Sequence, residues 1–158
     1  MEKFFYDSIR FFDMELYLMA NENALVYVGT DEKRINKAIL DSNKLTNYKN
    51  TILAYKNKEL KAFDVPIELS GSKLQIEVLE ALKTIPYGEI RTYTEIAEQI
   101  NRPRAVRAVG AAIGKNPLLL IIPCHRVIGK NGKLTGFSGG LAMKKSLLAL
   151  ENNEKAEN

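Results

Sequence analysis

The chain has 158 residues, 46% of them hydrophobic and 27% charged, and a formal net charge of +4. That length holds one domain, or a domain with a small companion module. A single cysteine excludes an internal disulfide framework, the longest aliphatic run (PLLLIIP) is far too short for a membrane span, and the start MEKFFYDSIRFFDME lacks the basic opening of a signal peptide; a cytoplasmic monomer is expected.

The first half reads as a small α+β module. KFFYDSIRFF, MELYLMAN and NALVYVGT are rich in aromatic and β-branched residues and are broken at Asp13 and at the polar NEN turn, which predicts a three-stranded meander. From Ile35 to Phe63 the spacing is mostly helical, with Leu40, Leu45, Ile52, Leu53 and Leu60 as the expected buried face and a break possible at Asp41 and Asn43. FDVPIELSGS is the expected linker, because Pro66 keeps its approach extended and Ser70-Gly71-Ser72 ends it with a helix cap. The predicted units are therefore an N-terminal module over residues 1–66 and a C-terminal domain over residues 67–158.

The second unit is predicted to be mainly helical. KLQIEVLEALKTI forms an amphipathic helix with Leu74, Val78, Leu79 and Leu82 on one side, and PYG turns the chain after it. Thr92 or Thr94 caps a short helix to about Ile100, and Asn101 and Arg102 turn the chain. Pro103 then opens a second helix that runs to about Ile113. Two short helices with a tight turn describe a helix-turn-helix, with Arg102, Arg104 and Arg107 at the end that faces DNA in such units. Asn131-Gly132 signals a short hairpin, GLAMKKSLLALE a closing helix, and NNEKAEN a frayed tail. The fold class is α+β.

Charge is unevenly spread. Between Gln99 and Leu150 the chain has nine Lys or Arg and no Asp or Glu. Ordinary surfaces mix both signs, so a field of one sign over that length points to a polyanion, and nucleic acid is favoured over a merely solvated face.

Inside that stretch stand the only cysteine and the only histidine, side by side as Cys124 and His125 in IIPCHRVIG. A lone cysteine is usually a small buried hydrophobe. Here it lies past Pro123, beyond the apolar run, with a titratable neighbour. One Cys and one His are too few for a zinc site, and without a second Cys there is no thiol exchange; no metal and no cofactor are expected. Neighbouring side chains on an extended segment face opposite ways, so a direct Cys–His hydrogen bond is not expected, while a water could join them with a carboxylate behind His125. Such a relay, with the basic surroundings, is expected to raise the thiolate fraction of Cys124. A thiolate attacks saturated carbon well, and an alkyl group on a damaged base is such a carbon.

PCHRVIG, with GKNP upstream and LTGFSGGLAMKKSLLALE downstream, resembles the O6-alkylguanine-DNA alkyltransferases, the methylated-DNA–protein-cysteine methyltransferases. The likeness takes in LQIEVLEALKTIPYGEIRTYTEIAEQI and RPRAVRAVGAAIGKNP and runs over about residues 70–151; the first seventy residues match loosely. The resemblance implies direct-reversal repair of double-stranded DNA containing O6-alkylguanine. Cys124 would accept the alkyl group once and irreversibly. It implies a relay of Glu151 and His125, a loop held by Asn116, and Tyr93 donating to guanine N3. Backbone carbonyls of Cys124 and Val127 would read the exocyclic amine, and the Ser138 segment would contact O6. Arg107 would replace the flipped nucleotide while the helix-turn-helix binds the minor groove. Departures are Leu74-Gln75 and Val78-Leu79 where the family usually has Phe-Gln and Val-Trp, and Phe137 where many members carry Tyr. The zinc ligands that some members have in the N-terminal module are absent. A lesion-binding protein that does not repair, and a helix-turn-helix regulator, are the alternatives; the first is expected to lack the cysteine and the second has no use for it.

Overall fold

The computed structural model describes residues 2–134 and 137–151. The expected frayed tail lies outside them. The chain divides into two units, Met1–Leu69 and Ser70–Asn158.

In the first unit, β1 (Phe5–Phe11), β2 (Met14–Ala20) and β3 (Leu25–Gly29) form the expected antiparallel meander. The β1–β2 register runs from Phe5 opposite Ala20 to Phe11 opposite Met14. Asn21 shapes the next turn: its Oδ1 accepts from the backbone N–H groups of Asn23 and Ala24, both at 2.8 Å, the local bonding that makes Asn a turn residue. The helical spacing from residue 35 is only partly realised. Ile39–Leu40 form a short strand, β4, parallel to β1, and the sheet order is β3-β2-β1-β4. Helix α1 (Ser42–Lys56) begins where Asp41 accepts from the Lys44 N–H at 3.1 Å; an aspartate there starts a helix in preference to continuing one. Its buried residues are Leu45, Ile52 and Tyr55, whereas Leu40 is exposed. The segment expected to be linker belongs to this unit as far as Leu69. Leu25 N–H donates to the Pro66 carbonyl at 2.9 Å and accepts from Glu68 N–H at 3.1 Å, so Ile67 extends the edge beside β3.

In the second unit, α2 (Lys73–Leu82) is capped by Ser72, whose hydroxyl accepts from the Gln75 N–H at 3.1 Å. β5 (Arg91–Thr92) leads into α3 (Tyr93–Gln99) through a capping box. Thr92 accepts from the Glu95 N–H at 3.1 Å, and the Glu95 carboxylate accepts from the Thr92 N–H at 2.8 Å. After a turn with Asn101 in the left-handed region comes α4 (Val106–Gly114). The helix-turn-helix is present, but Pro103 lies in the turn and α4 starts three residues later than expected. The chain first closes a turn with Arg102 N–H donating to Ala97 O and Ala105 N–H to Arg102 O, both at 2.9 Å. α2 packs on α4, and Gln75 donates to the Ala112 carbonyl at 3.1 Å.

Beyond α4 the chain forms a 3-10 turn over Cys124–Arg126, then β6 (Val127–Ile128), which lies parallel to β5 with Arg91 opposite Val127. Asn131 and Gly132 both take positive φ, and Gly129 N–H donates to Lys133 O at 2.7 Å. The turn chemistry of Asn-Gly is therefore realised without the expected hairpin: no strand follows it among the described residues. Helix α5 (Leu141–Leu150) closes the unit. Among the described residues no helix is long and apolar enough to cross a membrane.

Candidate active site

The loop before the cysteine is held by one side chain. Asn116, buried after α4, donates to the Ile122 carbonyl at 2.8 Å and the Leu118 carbonyl at 3.4 Å, and accepts from the Leu118 N–H at 3.0 Å. These bonds bend the apolar run into a tight turn. Leu120 sits at φ 73°, a left-handed conformation that a bulky residue adopts only when its surroundings impose it.

Cys124 follows at the start of the 3-10 turn, 3% exposed. The turn is not the extended segment that the sequence suggested. His125 is fully buried, and its Nε2 lies 2.8 Å from Glu151 Oε2 at the C-terminal end of α5. Its Nδ1 is buried with no hydrogen-bond partner among the described residues, which is uncommon for a buried polar atom.

Arg126 is also buried. Its Nε donates to Glu151 Oε1 at 2.8 Å, Nη2 to Oε2 at 2.9 Å, and Nη1 to the Ile85 carbonyl at 2.6 Å. Gly88 N–H adds a fourth bond, to Oε1 at 3.2 Å. Three unambiguous N–H donors on its two oxygens make Glu151 an acceptor, so the proton between it and His125 sits on Nε2 and Nδ1 keeps its lone pair.

The electrostatics overturn one expectation. Burial pushes the Cys124 thiol up to about 11, although Asn116 and the charge of Lys144 pull the other way. The resting sulfur is a thiol, because lost hydration outweighs the basic surroundings. Lys144, fully buried on α5, is pushed down to about 8, also by burial, with Cys124 opposing. His125 is held below the usual imidazole range, again chiefly by burial. Glu151 opposes that shift, and the charges of Arg126 and Lys144 reinforce it.

The remaining predicted residues fall in three places. Tyr93 opens α3, packs toward Gly110 on α4, and has the Lys144 ammonium 6.0 Å from its ring centre. Val127 is buried in β6. Phe137 and exposed Ser138 belong to the turn closed by Gly140 N–H donating to Phe137 O at 2.9 Å. On the helix-turn-helix, Arg104 and Arg107 are exposed. Arg102 is instead bonded to Glu77 of α2 at 3.1 and 3.4 Å, which ties the turn to α2 and offsets its charge.

Lys144 and Arg126 were not among the predicted site residues. Lys144 had a signal. Residues 144, 147, 148 and 151 follow the i, i+3, i+4, i+7 stripe of α5, so a lysine and a glutamate stand on its buried face. Arg126 had none beyond adjacency to His125.

Residues 73–153 match the family model "6-O-methylguanine DNA methyltransferase, DNA binding domain". The inducible methylated-DNA–protein-cysteine methyltransferase of Bacillus subtilis is 42% identical over 166 residues, covering 97% of this chain and 93% of its own. The methylated-DNA–protein-cysteine methyltransferase of Mycolicibacterium paratuberculosis is 59% identical over 98 residues, covering 62% of this chain and 59% of its own. Among solved structures, Mycobacterium tuberculosis OGT in complex with DNA superposes with a TM-score of 0.89 at 41% identity, over 96% of each chain.

Proposed function

The chain belongs to the methylated-DNA–protein-cysteine methyltransferase family, and we propose that Cys124 is the residue to which it transfers the alkyl group from O6 of guanine. The activity is direct-reversal DNA repair, and DNA is the partner. The observation that carries the assignment is the only cysteine of the chain, buried and followed directly by a buried histidine whose Nε2 is fixed by Glu151 and whose Nδ1 has no hydrogen-bond partner among the described residues.

In this reading the thiol is activated at the moment of transfer, because the resting group is protonated. Its proton passes to His125 Nδ1 by way of a water, and Glu151 stabilises the imidazolium through Nε2. The sulfur attacks the alkyl carbon, an S–C bond forms, the C–O6 bond breaks, and the electron pair moves onto the purine. Tyr93 donates to N3 as that charge builds, and the proton held by His125 ends on the base. Asn116 holds the loop before the cysteine, the backbone carbonyls of Cys124 and Val127 read the exocyclic amine, and the Phe137–Ser138 turn contacts O6. The thioether has no easy route back, so each molecule acts once. Arg107 takes the place of a nucleotide flipped from the minor-groove side, and Arg104 anchors a phosphate.

Intact-mass measurement after incubation with O6-methylguanine DNA tests this. A gain of about 14 Da on the peptide carrying Cys124 is expected for methylation of a nucleophilic thiol, and none in Cys124→Ser. A gain on another residue refutes the assignment, and no gain despite DNA binding identifies a lesion binder.

A further inference from the structure

Glu151 is the meeting point of three separate segments: the Cys124–Arg126 turn, the 83–90 turn through Gly88, and the end of α5. Arg126 bonds both of its oxygens and also reaches a third point, the Ile85 carbonyl. A planar guanidinium fixes a carboxylate in its own plane, which a single ammonium does not do. The Arg126 guanidinium carbon also lies over the Tyr87 ring, 5.7 Å from its centre.

From this geometry we propose that Arg126 is a positioning residue for alkyl transfer: by clamping both oxygens of Glu151 it holds His125 in the Nε2–H tautomer and leaves Nδ1 as the base that takes the thiol proton. The inference rests on the relay reading above and adds a member to it. Without the clamp, the Gly88 N–H is the remaining backbone donor to the Glu151 carboxylate beside His125, its plane is held less firmly, and the proton on the imidazole is less strictly assigned to one nitrogen. The removed charge has a second consequence. The titratable and charged groups around His125 are Cys124 and Arg126 from its own turn, Glu151 and Lys144 from α5, and Tyr87, which faces Glu151 and Arg126. Arg126 and Lys144 both oppose protonation of His125, and Glu151 favours it. Loss of Arg126 tips that balance, so His125 gains its proton, and stops acting as a base, at a higher pH than in the wild type.

The test uses the full chain and two readouts. His125 is the only histidine, so a nitrogen-15 spectrum of labelled protein reports its tautomer without assignment. The single-turnover transfer rate is followed against pH in parallel. In Arg126→Gln the acid limb of the rate profile is expected to move to higher pH, and the plateau to fall about tenfold, the usual scale for losing a partner that orients a functional imidazole. Arg126→Lys restores the charge without the fork. Its limb is expected to return toward the wild-type position while the Nε2–H population stays reduced. If Arg126→Gln does not fold, the tautomer in Arg126→Lys decides alone. An unmoved limb in Arg126→Gln, or a pure Nε2–H signal in Arg126→Lys, overturns the positioning role and leaves Arg126 as structural. A wild-type protein that shows Nδ1–H instead overturns the relay itself, which is a different result.

Discussion

The two units bury different things. In Met1–Leu69 the sheet and α1 enclose aliphatic and aromatic side chains, and Asn21 is the single buried polar residue among those described. In Ser70–Asn158 the core takes in Asn116, His125, Arg126, Lys144 and Glu151 around the one cysteine. Charges are costly to bury, and replacing a buried ion pair with well-packed hydrophobes is often neutral or stabilising. The second unit therefore gives up stability where its chemistry lies, and the first does not. The network answers part of that cost by satisfying its own members, with one exception among the described residues, Nδ1 of His125, and that exception is the atom proposed to take the thiol proton.

The sharpest way to break this contrast is to separate the members of the network. His125→Gln and Glu151→Gln are each expected to slow transfer roughly 10²–10⁴-fold, the range for loss of a positioned base. The double variant is expected to lose little more than the slower single, because the two act as a unit. Single-turnover rates on one substrate check this, and fully multiplicative losses show that there is no relay. Asn21→Ala in the first unit is the control: it costs stability and leaves the rate unchanged.

A second contrast lies within the second unit, between its buried charges and its exposed ones. Arg107 and Arg104 are both exposed beside the same turn. If Arg107 fills the gap left by a flipped base, Arg107→Ala forfeits compensation for unstacking, a few kcal/mol, and repair of saturating duplex slows on the order of a hundredfold. Transfer from a free O6-alkylated base is expected to be unaffected, since nothing is flipped. Arg104→Ala is expected to weaken duplex binding and to be rescued by more DNA, with a shallower salt dependence. An Arg107→Ala protein that reacts at the wild-type rate on saturating duplex has lost only a phosphate contact.

The residues that carry this chemistry were legible in the sequence to different degrees. Cys124 and His125 stood out by scarcity, and Glu151 by resemblance alone. The helix-turn-helix was legible because a threonine cap, Thr92 or Thr94, and the turn at Asn101 and Arg102 are local signals, and the structure places the cap at Thr92. The start of α4 was not, because Pro103 suits a helix start and a turn equally well, and contact with Ala97 decides between them. The short β4 was masked by residues of helical spacing, and its pairing with β1 is a long-range contact that no local pattern announces. The state of the thiol was misread for a similar reason. Charge can be counted in a sequence, but the burial that outweighs it cannot.

Lys144 sharpens the claim that stability is given up for chemistry. Its folded-state value is about 8, below the ordinary 10.5. Below about 8 both folded and unfolded chains hold the proton, and the full cost of burying the ammonium is present. As pH rises from there the unfolded chain holds more protons than the folded one, so stability increases. Lys144→Met is expected to stabilise the protein at pH 7 by about 1–4 kcal/mol, with the advantage shrinking as pH approaches 9. Above 9 the raised Cys124 thiol acts in the opposite sense, because the folded chain then holds the extra proton. The same variant is expected to slow transfer, since Lys144 is among the groups that favour the thiolate. Urea midpoints at pH 7 and 9 check the first part and transfer rates the second. A destabilised Lys144→Met removes the argument that this charge is carried at a cost.

The smallest expected effect belongs to the first unit. Lys49 on α1 bonds Asp7 on β1, and the two side chains are 22% and 13% exposed. Burial pushes the Asp7 carboxyl up, but bonds from Lys49 and from the Ser8 N–H, the latter at 2.8 Å, hold it below the usual range overall. A depressed carboxylate contributes stability above its unfolded value, and that contribution is lost as pH falls through the folded one. Water still reaches both partners, so the pair is worth on the order of 1 kcal/mol or less. Lys49→Met is accordingly expected to lower the urea midpoint slightly at pH 7, with the difference from the wild type fading as pH falls through the depressed folded-state value of Asp7. Its transfer rate is expected to equal the wild type at every pH, because the pair serves only to fasten α1 to the sheet. A change in rate from this substitution would mean that the first unit takes part in the reaction, and the division between a unit that only folds and a unit that also reacts would have to be abandoned.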